Sequence, residues 1–192
     1  LVTGCLPGLI VVKDRPSDRR ATGDKQMSRV SEVLDRIQMV RGYTAELIDA
    51  VPESDWFRQP AEGVTHVGWQ VGHLAMAQYR LALDLVRGVQ PGDDDLISAR
   101  ILEIYGKDSI PDPDPAANAS VEEIRAAYDA VHLAVIGEIG AMDDSILDEP
   151  SSRSHPVFDT KGGALEWSAR HEMLHAGQIG LLRRLFGEKW LR

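Results

Sequence analysis

Between residues 28 and 51 apolar side chains recur at the spacing of one helix face: Val30, Val33, Leu34, Ile37, Val40, Leu47, Ile48 and Val51. Pro52 closes that run. A second helix is expected from Thr65 or Val67, carrying Trp69, His73, Ala77, Leu81 and Val86 towards a stop at Arg87-Gly88. After Pro91-Gly92 and three aspartates, a shorter helix is expected over residues 96–105. Three prolines within residues 111–115 exclude regular structure there, because each lacks an amide donor and pushes the preceding residue into an extended shape. Ser120 followed by Glu123 spells a capping box, opening a helix through Ile124, Tyr128, Val131, Val135 and Ile139. A polar loop is expected over residues 143–163, and a last helix from Ala164 to Phe186, ended by Gly187.

No segment alternates apolar and polar residues over a strand length with hairpin chemistry between. The pattern therefore predicts an all-α domain, four long helices and one short one in an up-and-down type of bundle. Residues 1–26 lack helical periodicity and are expected to form a poorly packed extension, with Met27 standing where the first pattern begins. Residues 27–192 form the domain. A chain of 192 residues suits one such unit.

Composition narrows the function. Thirty acids against twenty-one bases leave a net charge of −9, the wrong sign for a protein that neutralises phosphates, so no nucleic-acid partner is expected. No run reaches the eighteen or so apolar residues of a membrane helix, so no membrane partner is expected and the location is taken as cytoplasmic. The single cysteine, Cys5, excludes a disulfide framework and a cysteine-based zinc site. Six histidines remain.

His171 and His175 lie four residues apart in the last helix. That spacing is a rise of about 6 Å and a rotation of only about 40°, so both imidazoles can reach one ion. With Trp167, Gln178, Leu182 and Leu185 they trace one face, whose apolar end marks it as inward. His73 lies on the stripe of the second helix, four residues after Trp69, as His171 lies four after Trp167. An ion held by His73, His171 and His175 would keep an open coordination position, the mark of a catalytic or ligand-binding site. The alternatives are histidines satisfied by core hydrogen bonds and tryptophans that simply pack. His66 lies too far along its helix to share an ion with His73. His132 falls one step off its stripe and is expected to be exposed, and His155, before Pro156, is a loop residue that would suit a lid. Arg183, Arg184, Lys189 and Arg192 read as cations placed near a helix C-terminus, where the dipole favours them.

Residues 171–175 also spell H-E-x-x-H, the helical signature of zinc proteases. The extended form of that signature would need glycine at 178 and histidine at 181, where Gln178 and Leu181 stand. Glu188 is the one acid after His175, too near for the other protease arrangement, so a third ligand must come from upstream. Glu172 is a candidate base beside the ligands, with a solvent-facing helix glutamate as the plainer reading.

The segments Trp69-Gln-Val-Gly-His73-Leu-Ala and His171-Glu-Met-Leu-His175-Ala-Gly-Gln178-Ile-Gly-Leu-Leu-Arg-Arg together resemble the DinB-like (DinB/YfiT-like) superfamily of metalloenzymes over about residues 27–190. The resemblance implies a four-helix bundle with unusual connections plus one extra short helix, a homodimer, and a divalent ion, usually zinc or nickel, on His73, His171 and His175. Gln178 matches a recurring glutamine of that motif and, with Trp69 and Trp167, is expected at the pocket. Characterised relatives include transferases that use a low-molecular-weight thiol, which makes thiol S-transfer the leading expectation. A metal-dependent hydrolase and a non-catalytic binder of a metal or small ligand stand as alternatives. Cys5 lies outside the resembling region, so any sulfur chemistry would draw its thiol from solution.

Overall fold

The structure is a computed structural model that describes residues 27–191. The extension expected over residues 1–26 lies outside the described residues. Helix α1 (Arg29–Asp49) starts on Ser28, whose hydroxyl accepts the Ser31 amide at 3.1 Å. Helix α2 (Val67–Gln78) continues through a π-helical stretch (Tyr79–Asp84) and a closing α-helical turn (Leu85–Arg87). The short α3 (Ala99–Ile104) begins at Ser98, later than its apolar pattern suggests, because that hydroxyl caps the Ile101 amide. Helix α4 (Val121–Ala134) opens with the expected capping box and also ends in a π-helical stretch (Val135–Ile139). Helix α5 (Lys161–Leu185) is the longest. Among the described residues there is no strand, only a single bridge pairing Pro150 with Thr160.

The start of α5 differs from the sequence pattern for a packing reason. Gly162 and Gly163, expected in the loop before α5, form its first turn above a Thr160 cap. A Cβ at Gly162 would meet the Leu147 carbonyl oxygen at 2.8 Å, and one at Gly163 the Phe158 Cβ at 2.7 Å. These glycines serve close approach rather than a turn. Gly187, by contrast, has φ +91°, a left-handed conformation that ends α5 as expected.

The helices do not pack in the sequential order of an up-and-down bundle. The main partner of α1 is α5, while α2 lies against α4 and α5. Segment 50–66, expected as a plain polar link, is long enough to carry the chain across the bundle, and it is pinned by fully buried Trp56. The Trp56 carbonyl accepts the Gly68 amide at 2.8 Å, and the Arg125 guanidinium lies over its ring at 4.8 Å. One apolar core runs through all the long helices, including Ile37, Ile48, Leu74, Ile124, Leu165 and Ile179.

Candidate metal centre

Helix α2 crosses α5 so that His73 meets His171 and His175. One nitrogen from each ring lies within 4.8 Å of one from every other. His73 and His175 are 7% and 8% exposed, and His171 is half-buried. Three neutral imidazoles with open space beside them form a donor set suited to a divalent transition metal.

The hydrogen bonds fix which nitrogens are free. His73 Nδ1 lies 2.9 Å from the Tyr105 carbonyl oxygen. A carbonyl can only accept, so Nδ1 carries the proton and Nε2 presents its lone pair. His175 Nδ1 donates to Gln70 Oε1. Gln70 is held in that orientation because its Nε2 donates to Gln178 Oε1 at 2.8 Å and to Thr65 Oγ1 at 3.0 Å. His175 Nε2 then faces His171 Nε2 at 3.2 Å. Two nitrogens bound to one tetrahedral ion at about 2.0–2.1 Å would stand about 3.3 Å apart. The residues present therefore fit a metal, and the buried carbonyl and amide behind them are the outer partners such ligands need.

Electrostatics agree. Burial lowers the His175 imidazole to about 3, helped by the neighbouring His171 and His73. Burial and His73 bring His171 to about 4, and burial lowers His73 as well. All three rings are thus neutral near pH 7, the form that binds a metal.

The local sequence accounts for the placement of His73. Gly72 has no side chain, and a Cβ there would meet the Tyr105 ring at 2.3 Å. That close approach brings Tyr105, itself fully buried, near enough for its carbonyl to orient His73. Trp69 stacks on His73 with ring centroids 4.7 Å apart and 12° between planes, and its indole donates to Ser109 Oγ at 2.9 Å. Trp167 lies on the other side, 6.4 Å from His171, and lines an open cavity of 750 Å³ that reaches both His73 and His171. Met76, Leu81, Leu85 and Leu102 supply apolar wall; Arg80, Lys107 and Arg153 bring positive charge, Asp84 and Asp94 negative. Arg153 pairs with Asp84, tying loop 149–160 to α2.

The chain belongs to the DinB superfamily. The family model for the DinB superfamily matches residues 36–179, a span that includes all three histidines and every long helix in whole or in part. A solved structure described as a conserved protein from Enterococcus faecalis superposes with a TM-score of 0.63 at 16% identity, covering 84% of this chain and 99% of that one. That likeness concerns the fold alone. No curated protein matches the sequence.

Other expected DinB site residues fall in different places. Gln178 is exposed and outside the cavity lining, and it touches the centre through Gln70. Glu172 is not a solvent-facing glutamate. It is 3% exposed and turned into the bundle, where Arg41 Nε lies 3.0 Å from Oε1 and the Tyr128 hydroxyl donates to Oε1 at 2.8 Å. The Arg41 guanidinium stacks on the Tyr128 ring at 3.3 Å and donates to Gln78 Oε1 at 2.6 Å. His132, expected on the surface, is half-buried with Nδ1 3.5 Å from Gln78 Nε2; burial, reinforced by the Arg41 charge, lowers it to about 4. His66 caps α2, its Nδ1 accepting the Trp69 amide at 3.1 Å. His155 stacks on Phe158 at 4.1 Å and lines the cavity, consistent with its loop position.

Gln70 and Tyr105 carry no mark in the sequence, since both act only through the crossing of α2 with α5 and α3. Arg41 and Tyr128 did carry one. Arg41 follows Ile37 by four residues on a buried face, and Tyr128 lies squarely on the α4 stripe.

Proposed function

We propose that this protein is a cytoplasmic metal-dependent enzyme that transfers a low-molecular-weight thiol to a small electrophilic substrate. His73, His171 and His175 would hold one divalent ion, zinc or nickel, at the inner end of the cavity. The observation that carries this reading is the convergence of three neutral imidazoles, two of them locked through Nδ1 by Tyr105 and Gln70. A bound ion of this kind supplies Lewis acidity, which favours a thiolate over a thiol at neutral pH.

The chain's own residues do the rest. Tyr105 and Gln70 keep the Nε2 lone pairs of His73 and His175 aimed at one point. Trp69 and Trp167 wall that point against free exchange with solvent, and the apolar side chains of α2 offer a surface for the substrate body. Sulfur bonds to the electrophilic carbon as the bond from that carbon to its leaving group breaks; the leaving group departs with the electron pair, and the proton lost from the thiol passes to it or to solvent.

Thiol transfer is preferred to hydrolysis because of Glu172. A hydrolase of the H-E-x-x-H kind uses that glutamate as its base, whereas here the carboxylate is engaged by Arg41 and Tyr128. A deprotonated thiol needs no such base. Net charge −9 gives no reason to add a nucleic acid. No described helix is long and apolar enough to cross a membrane. A homodimer is included in the proposal, since Leu174, Leu181 and Leu185 stand exposed at helical spacing along α5.

Metal analysis of the purified protein tests the centre. One equivalent of ion is expected in the wild type after supplementation and a clear loss in His73→Ala and His171→Ala. A wild type that retains no ion ends the metalloenzyme reading. A panel of thiols and electrophiles then separates enzyme from passive binder, and turnover that survives in the ligand variants would remove the metal from catalysis. Light scattering gives the assembly state.

A further inference from the structure

A second cavity, of 260 Å³, runs along the C-terminal half of α5 from Ala176 to Arg184, between α1 and the segment that follows α5. Eight residues separate His175 from Arg183, about 12 Å along the helix axis, so this is not the histidine centre. Its charged lining consists of Arg183, Arg184 and Lys189, with no acid, in a chain whose net charge is −9.

Arg183 is the decisive residue. The sequence places it among the cations near the C-terminus of the last helix, and it is 3% exposed. Its Nε has no hydrogen-bond partner, and among the described residues no carboxylate pairs with it. Arg41 and Arg87, with side chains 8% and 7% exposed, each face a carboxylate, Glu172 and Asp93 respectively. A guanidinium cannot shed its proton to escape burial, and a secluded charge without a partner is strongly unfavourable. The nearby helix-end carbonyls do not substitute. Those of Leu182, Arg183 and Arg184 already accept the amides of Phe186, Gly187 and Glu188.

Space for a ligand is built in. A Cβ at Gly177 would meet nothing within 4 Å, and at Gly180 only Leu47 Cδ2 at 4.0 Å. Tyr43 and Trp190 supply ring walls, and the Arg184 guanidinium lies over the Trp190 ring at 5.2 Å. A phosphate or carboxylate entering there would meet a buried counter-charge and two further cations at the rim.

We propose that this cavity is a binding site for a small oxyanion, the phosphate or carboxylate of a ligand, with Arg183 as its buried partner. The site stands independently of the metal centre.

The test is thermal unfolding and titration calorimetry of the full-length protein with inorganic phosphate, sulfate and acetate at fixed ionic strength. Phosphate at ten times its dissociation constant should raise the midpoint by about 4 °C, with one site per chain. Comparison with sulfate and acetate tells a tetrahedral oxyanion from a carboxylate. Arg183→Met should abolish the response and, in buffer without added oxyanion, leave the midpoint unchanged or higher, because it removes an unpaired buried charge. Gly180→Leu keeps Arg183 but fills the cavity, and should also abolish the response. His171→Ala should respond as the wild type does. The proposal is overturned by a wild type indifferent to all three anions, or by a response that survives Arg183→Met or disappears in His171→Ala. It is equally overturned if Arg183→Met lowers the midpoint without added oxyanion, for then the chain itself satisfies Arg183.

Discussion

Replacing Glu172 by alanine distinguishes a buried ion pair from a surface residue beside the metal ligands. Glu172 is 3% exposed, and its Oε1 lies 3.0 Å from Arg41 Nε and 2.8 Å from the Tyr128 hydroxyl. Alanine would leave the Arg41 charge buried without a counter-charge, an effect of about 3–5 kcal/mol. It would also remove the acceptor of a buried hydroxyl, worth about 1–3 kcal/mol in isolation. The two losses share one network and do not add, so a loss of about 3–5 kcal/mol is expected. That is a large part of the roughly 5–15 kcal/mol that holds a domain together, and a fall in midpoint of about 10–15 °C. A solvent-facing glutamate would change stability by about 0.5 kcal/mol or less. Urea unfolding of metal-free wild type and Glu172→Ala, followed by circular dichroism, measures the difference without interference from the ligands. The double variant Arg41→Met with Glu172→Leu should recover most of the loss, because it removes both charges together. A single-variant loss under about 1 kcal/mol, or a double variant no better than Glu172→Ala, would refute the reasoning.

Gln70→Ala should leave the fold intact but weaken metal binding about 10–100-fold, since it frees His175 Nδ1 from its orienting partner; competition with a chromogenic chelator reads this, and an unchanged affinity counts against Gln70 as a positioning residue. Gly72→Ala drives a methyl into the buried Tyr105 ring and should destabilise by about 1–3 kcal/mol while loosening the His73–Tyr105 contact, so that denaturation and metal content fall together. The metal-free protein should lose stability as pH falls from about 6.5 towards 4. His132, His171 and His175 have folded values of about 4, 4 and 3, so over that window the unfolded chain binds more protons than the folded one. Above pH 7 these groups should contribute no slope. Urea midpoints measured across pH 4–8 check the sign, and a stability that rises on acidification contradicts it.

Much of this arrangement was readable from residue order. The helix faces follow from apolar spacing, and the Ser120–Glu123 box marks the start of α4 in the sequence as in the structure. The pairing of His171 with His175 needs nothing beyond a four-residue interval on a helix. His73 could be nominated from its stripe and from the resemblance to DinB-like proteins. Its meeting with the other two depends on how α2 crosses α5.

What the sequence determined by itself was local: which segments are helical, which face of each is apolar, where caps and stops lie, and which histidines share a face. These depend on interactions within a few residues. Tertiary structure decided whatever depends on elements far apart in the chain. The bundle order is set by linkers long enough to cross it. Glu172 is adjacent to two ligands in sequence, yet Arg41, 131 residues away, draws its carboxylate into the core. Arg183 keeps its place in the last turn of α5, and packing against α1 and the following segment buries it. Burial and partner choice are properties of the assembled bundle, and no spacing rule along the chain encodes them.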